Sequence, residues 1–142
     1  MNSRQAIKPT HEIELSPAFY DIDSMEVVYH GHYVKYLEQA RSALLDKYGY
    51  GYKEMKDSGY LWPIVDMRLK YVRPATLGQR LRVKATVTEW ENRLRIEYVM
   101  RDASSGEKIN TAYTIQVALN AVTREMCFVC PPVLAECLGV LP

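Results

Sequence analysis

The chain predicts an α+β fold, an antiparallel sheet of about five strands wrapped around one long helix. Three observations predict it. One segment, from about His30 to Tyr48, carries apolar residues at helical spacing, whereas the segments from Val65 onward alternate residue by residue. Those alternating segments follow one another across turn signals with no long helix between them, which pairs neighbours antiparallel. At 142 residues, 48% hydrophobic and 25% charged, the composition is that of one ordinary globular domain with a single core.

The elements follow in chain order. Residues 1–10 are polar and predict a flexible N-terminal tail, leaving 11–142 as the single domain. Glu12–Phe19 alternates, with Ile13, Leu15 and Phe19 on one side, and predicts a first strand. Tyr33, Tyr36, Leu37, Ala40, Leu44 and Tyr48 then mark one helical face, which Gly49 and Gly51 can end. Tyr52–Asp57 predicts a short second helix. Val65–Tyr71, Leu81–Val87 and Leu94–Met100 each alternate apolar with charged or polar residues, and Ile109–Leu119 carries the last strand. A short helix around Val133–Cys137 closes the chain.

Composition excludes several classes of function. With 18 basic and 17 acidic side chains the net charge is +1, so nothing global attracts nucleic acid. No apolar run approaches the ~18 residues of a membrane span, and the polar start lacks the apolar block of a secretory signal. Three cysteines are an odd number without a paired framework. These features predict a cytoplasmic protein. Cys127 and Cys130 form a Cys-x-x-Cys pair, but the partners of a zinc site are missing, and buried or half-buried free thiols are the preferred reading. Three histidines, two of them in His30-Gly31-His32, give no ligand set, so no metal is expected. The oddity is aromatic: eleven tyrosines against two phenylalanines and two tryptophans, which favours half-buried surfaces and interfaces.

Chemistry concentrates between Tyr20 and Tyr33. Asp21 and Asp23 end the first strand region, and the loop to the helix is apolar, with Met25, Val27, Val28 and Tyr29. Neither Val28 nor Tyr29 can cap a helix, so the first amides need other partners. Free amides at a helix start polarise a carbonyl and hold an oxyanion, and a nearby carboxylate supplies a base or nucleophile. Gly31 would let a ligand approach the backbone closely. The bland reading stands beside this one: both aspartates are also ordinary turn residues.

The run Tyr20-x-Asp-x-Asp23, then Val27-Val28-Tyr29-His30, then Tyr33, Tyr36, Glu38 and Ala40-Arg41 resembles the 4-hydroxybenzoyl-CoA thioesterase family of hotdog-fold proteins. Within that family it resembles the Tol–Pal-associated bacterial acyl-CoA thioesterases most. Tyr71-Val72-Arg73-Pro74-Ala75 extends the likeness, which covers about Ile13 to Pro132. The resemblance implies a hotdog thioesterase domain and hydrolysis of acyl-CoA thioesters. It implies no cofactor, with coenzyme A entering as part of the substrate. It further implies a homodimer or homotetramer with active sites at the subunit interface. Asp23 matches the family's catalytic aspartate, and the amide of His30 matches the group that polarises the thioester carbonyl. Val28 and Tyr33, with Trp62 or Pro63 from another strand, are expected to bind the acyl group. His30's imidazole is given a supporting role.

Glu26 departs from the family, which usually has glycine there. Three consequences are open: a like charge beside Asp23, a narrowed acyl pocket, or a side chain in solvent. The basic residues Arg68, Lys70, Arg73, Arg80, Arg82 and Lys84 are candidates for coenzyme A phosphates, against the alternative of solvated strand faces. Two other functions are weighed: a non-catalytic acyl-thioester binder, and a 3-hydroxyacyl-thioester dehydratase using His30 with Glu38.

Overall fold

Alternation decides which residues of a strand share a face, and pairing decides which face turns inward. The computed structural model describes residues 7–141, so most of the expected tail, residues 1–6, lies outside the described residues. The strands are β1 (Thr10–Leu15), β2 (Tyr60–Leu61), β3 (Ile64–Tyr71), β4 (Leu81–Glu89), β5 (Leu94–Asp102), β6 (Lys108–Gln116) and β7 (Leu119–Asn120). The helices are α1 (Tyr33–Lys47), α2 (Tyr52–Asp57) and α3 (Pro132–Leu138). Five strands form one antiparallel sheet in the order β1-β4-β5-β6-β3, while β2 and β7 pair separately. This is the α+β hotdog arrangement, with α1 lying against β1 and β4.

Helix α1 buries Tyr33, Tyr36, Leu37, Ala40, Leu44 and Leu45. Its first turn is not α-helical: His30–His32 tighten into a 3₁₀ turn, so regular helix begins at Tyr33. Leu44 is fully covered, and truncating it to alanine is expected to cost about 2–5 kcal/mol. Strand β1 starts two residues before its alternation shows, and its pairing with β4 runs from Thr10↔Thr86 to Leu15↔Leu81. Phe19, expected to end that strand, instead opens a 3₁₀ turn and is exposed.

The last long strand differs from its sequence pattern. Ile109, Tyr113 and Ile115 look like its core face. Residues directly opposite on antiparallel strands share a face, and β5 pairs Ile96 with Thr114, Tyr98 with Ala112 and Met100 with Asn110. The inner face of β6 is therefore Asn110, Ala112, Thr114 and Gln116, three of them polar and buried. Tyr113 lies on the outer face beneath the Arg95 guanidinium, 4.7 Å from the ring centre. Ile109 reaches the core beside a register slip between Met100 and Arg101. The run also breaks after Gln116, where Val117 donates to the Pro63 carbonyl, and Leu119 joins β7 instead.

Buried tyrosines explain part of the aromatic excess. Tyr36 donates to Asp21, Tyr98 shares a hydrogen bond with Thr114, and the Tyr50 hydroxyl accepts from the Trp62 indole. Each ring fills core volume while its hydroxyl satisfies a polar group that phenylalanine would strand.

Candidate active site

The loop before α1 is built around a tight turn. The Asp23 amide donates to the Val27 carbonyl at 2.9 Å, and the Glu26 amide donates to the Asp23 carbonyl at 3.0 Å. This is the pattern of a three-residue hairpin loop whose last residue adopts a left-handed backbone. That residue is Glu26, at φ 65°. Glycine suits such a position because it has no Cβ to clash. The glutamate's side chain is exposed and does not wall the cavity described next, so the departure bears first on the backbone.

Asp23 Oδ1 accepts the Met25 amide at 2.8 Å, and among the described residues its other oxygen has no hydrogen-bond or ion-pair partner. The far side of the loop is tied to the segment after β3. The Val28 amide donates to the Ala75 carbonyl at 2.8 Å, and the Ala75 amide donates to the Tyr33 hydroxyl at 2.9 Å. Tyr71 at the end of β3 donates its hydroxyl to the His30 carbonyl at 3.0 Å. Between these ties lies a cavity of about 300 Å³, walled by Asp23, Val28, His30, Tyr33, Tyr71 and Arg73. The first amides of a helix have no acceptor within it, and among the described residues no side chain caps the turn at His30. One carboxylate and one uncapped helix start thus face a common space.

Burial pushes the Tyr33 hydroxyl pKa up; the Ala75 amide opposes this and the Asp23 carboxylate adds to it, so the phenol stays neutral. Gly31 leaves room for the neighbouring, half-exposed Tyr29 ring. A Cβ there would sit 2.7 Å from the Tyr29 ring, and Gly31 is not among the residues walling the cavity.

Asp21 and Asp23 have different surroundings. Asp21 is 2% exposed; its carboxylate accepts from Lys35 Nζ at 2.6 Å, the Tyr36 hydroxyl at 2.6 Å and the Ala18 amide at 3.0 Å. Burial alone would raise its pKa, but these donors outweigh burial and hold it at about 2. Burial and the Asp21 charge in turn push the Tyr36 hydroxyl well above its ordinary range. The spacing of the two aspartates does not show this difference.

A second cavity, of about 410 Å³, opens between α1, α2 and β2, walled by Glu38, Arg41, Met55, Trp62 and Gln116 among others. Of the residues expected from sequence, Asp23, Val28, His30 and Tyr33 meet in the first cavity. Pro63 walls neither of these two cavities. It precedes β3, about 26 Å along the strand from Tyr71. Within one chain His30 and Glu38 wall different cavities. Arg80 and Arg82 pair with Glu14 of β1; of the basic candidates Arg73 walls the cavity with Asp23, and it too is paired, with Glu107 at 3.1 Å. Sequence reasoning passed over Tyr71 as a site residue; its place next to the Arg73-Pro74-Ala75 segment was the available signal.

A family model described as the thioesterase-like superfamily matches residues 17–138. The chain belongs to that superfamily. Within it, a Bacillus subtilis protein named "Putative acyl-CoA thioesterase" is 30% identical over 77 residues, 54% of this chain and 56% of the relative. A 1,4-dihydroxy-2-naphthoyl-CoA hydrolase of Thermosynechococcus vestitus is 23% identical over 119 residues, 82% of this chain and 81% of the relative. Several superfamily relatives are matched over only about half their length. The crystal structure of a 1,4-dihydroxy-2-naphthoyl-CoA thioesterase from Synechocystis shares the hotdog fold, with a TM-score of 0.83 and 22% identity over 93% of this chain and 97% of that one.

Proposed function

We propose that this protein hydrolyses acyl-CoA thioesters to the free acid and coenzyme A. The observation that carries the proposal is the shared cavity: the Asp23 carboxylate, free of an ion pair among the described residues, faces the space at the uncapped helix start of His30. The His30 amide polarises the thioester oxygen and holds the oxyanion as the carbonyl carbon becomes tetrahedral. Asp23 either takes a proton from the attacking water or attacks the carbon itself, giving a mixed anhydride that water then opens. In both routes the carbon–sulfur bond breaks and the thiolate of coenzyme A leaves. Neither route needs a further cofactor. Arg73, on the cavity wall, is the basic residue placed to meet the phosphates of coenzyme A once its exposed ion pair with Glu107 opens. The relatives named for acyl-CoA and 1,4-dihydroxy-2-naphthoyl-CoA substrates support coenzyme A as the carrier.

The site is completed by a second copy of the chain. Strand β3 is an edge of the sheet; its residues Ile64, Val65 and Tyr71, and Val72 just after it, are 41–58% exposed. An eight-residue edge leaves backbone groups open to pairing, and exposed Asp66, Arg68 and Lys70 alternate along it with the apolar residues. Antiparallel pairing of two β3 edges about a two-fold axis sets the start of one β3 against the end of the other. Pro63, Trp62 and the larger cavity of the partner subunit then approach Asp23, and the acyl group extends toward them.

The test is a hydrolysis screen that follows thiol release from short, long and aromatic acyl-CoA substrates. Turnover of at least one of them, lowered by roughly 10²–10⁴ in Asp23→Asn, is the expected result. Binding of acyl-CoA without any release of thiol would favour a non-catalytic binder.

A further inference from the structure

Asp21 is a buried carboxylate that does not wall the cavity, yet it is bonded to both limbs of the loop that does. On the incoming limb its amide donates to the Ala18 carbonyl and its carboxylate receives the Ala18 amide. On the outgoing limb its carbonyl accepts the Tyr29 amide at 2.9 Å, one residue before His30. Its two carboxylate oxygens then reach α1, one to Lys35 and the other to Tyr36. Lys35 also lies 5.4 Å from the centre of the Tyr20 ring, so its stem and charge are held from both sides.

We infer that Asp21 is a positioning residue, which with Lys35 and Tyr36 as anchors sets the distance between the Asp23 carboxylate and the His30 amide. This rests on the thioesterase reading above. Asp23 lies two residues after Asp21, and His30 follows the amide that Asp21 holds. The two groups that must meet one carbonyl are therefore referred to one buried carboxylate fixed to the start of α1. Misplacement of reacting groups by about 1 Å lowers turnover by about 100-fold, even when the changed residue is remote from the chemistry. Lys35 is suited to this role because its ammonium touches no reacting atom and its side chain is 43% exposed, so it can be replaced without opening the core.

The experiment uses Lys35→Met, Lys35→Arg, Tyr36→Phe and Asp21→Asn, with kcat and KM measured on the best acyl-CoA substrate and folding followed by circular dichroism. A purely structural anchor would lower the melting temperature and leave the kcat of the folded protein unchanged. The expected result for Lys35→Met is a folded protein whose kcat falls about 10- to 100-fold with KM nearly constant, and Lys35→Arg recovers most of the loss. A folded Lys35→Met with wild-type kcat, or a loss confined to KM, overturns the inference. If Asp21→Asn does not fold, Lys35→Met decides. Wild-type protein inactive on every acyl thioester would overturn the thioesterase reading and this role with it. Activity that requires Asp23 but ignores Lys35 would overturn this role alone.

Discussion

The amide of Glu26 donates to the carbonyl of Asp23 at 3.0 Å, closing a turn in which Glu26 itself adopts φ 65°. A left-handed backbone costs a residue with a Cβ about 1–2 kcal/mol, part of which glycine returns as greater freedom in the unfolded chain. Glu26→Gly is therefore expected to stabilise the protein by about 0.5–1 kcal/mol. Urea denaturation checks this; a midpoint that falls would show that the glutamate side chain contributes more than its backbone loses.

Asp23→Asn keeps the oxygen that accepts the Met25 amide and removes the charge. The loop should persist while turnover drops by roughly 10²–10⁴. Steady-state kinetics on a folded variant measures it, and near wild-type hydrolysis would remove Asp23 from the mechanism.

Asp21 makes stability depend on acid pH. Its pKa in the folded chain is about 2, below the ordinary 3.8, so the folded state prefers the charged form. That preference is fully present above about pH 4 and is lost as pH falls toward 2. It amounts to something on the order of 2 kcal/mol. In Asp21→Asn the difference in stability from wild type should be largest at neutral pH and shrink between pH 4 and pH 2. A difference that stays constant across that range would mean Asp21 does not titrate as its donors imply.

The exposed edge of β3 predicts an oligomer. Val65 is 58% exposed near the start of that strand, outside the core. Val65→Glu puts a charge on the exposed edge and should shift the protein to monomer with loss of turnover. Light scattering coupled to size-exclusion chromatography reads the mass, and a fully active monomer would show that one chain completes the site.

Much of the architecture is legible from periodicity. The face of α1 is visible in Tyr33, Tyr36, Leu37, Ala40 and Leu44, and the alternation of β4 and β5 names their buried residues one by one. The position of Asp23 seven residues before the uncapped helix start at His30 is legible too, because chain distance there is short enough to constrain space. Strand β6 shows where this stops. Its pattern favours Ile109, Tyr113 and Ile115, of which Ile109 and Ile115 are buried, but pairing with β5 also turns Asn110, Thr114 and Gln116 inward.

The sequence by itself determined the α+β class, the helix face and the segment where chemistry is concentrated. Tertiary structure alone decided which of two nearby aspartates is sequestered, that polar residues of β6 pack inward, and why the Glu26 position favours glycine, its backbone being left-handed. The reason is physical. Periodicity groups residues within one element, whereas burial, hydrogen-bond partners and backbone strain depend on what the rest of the chain brings against it.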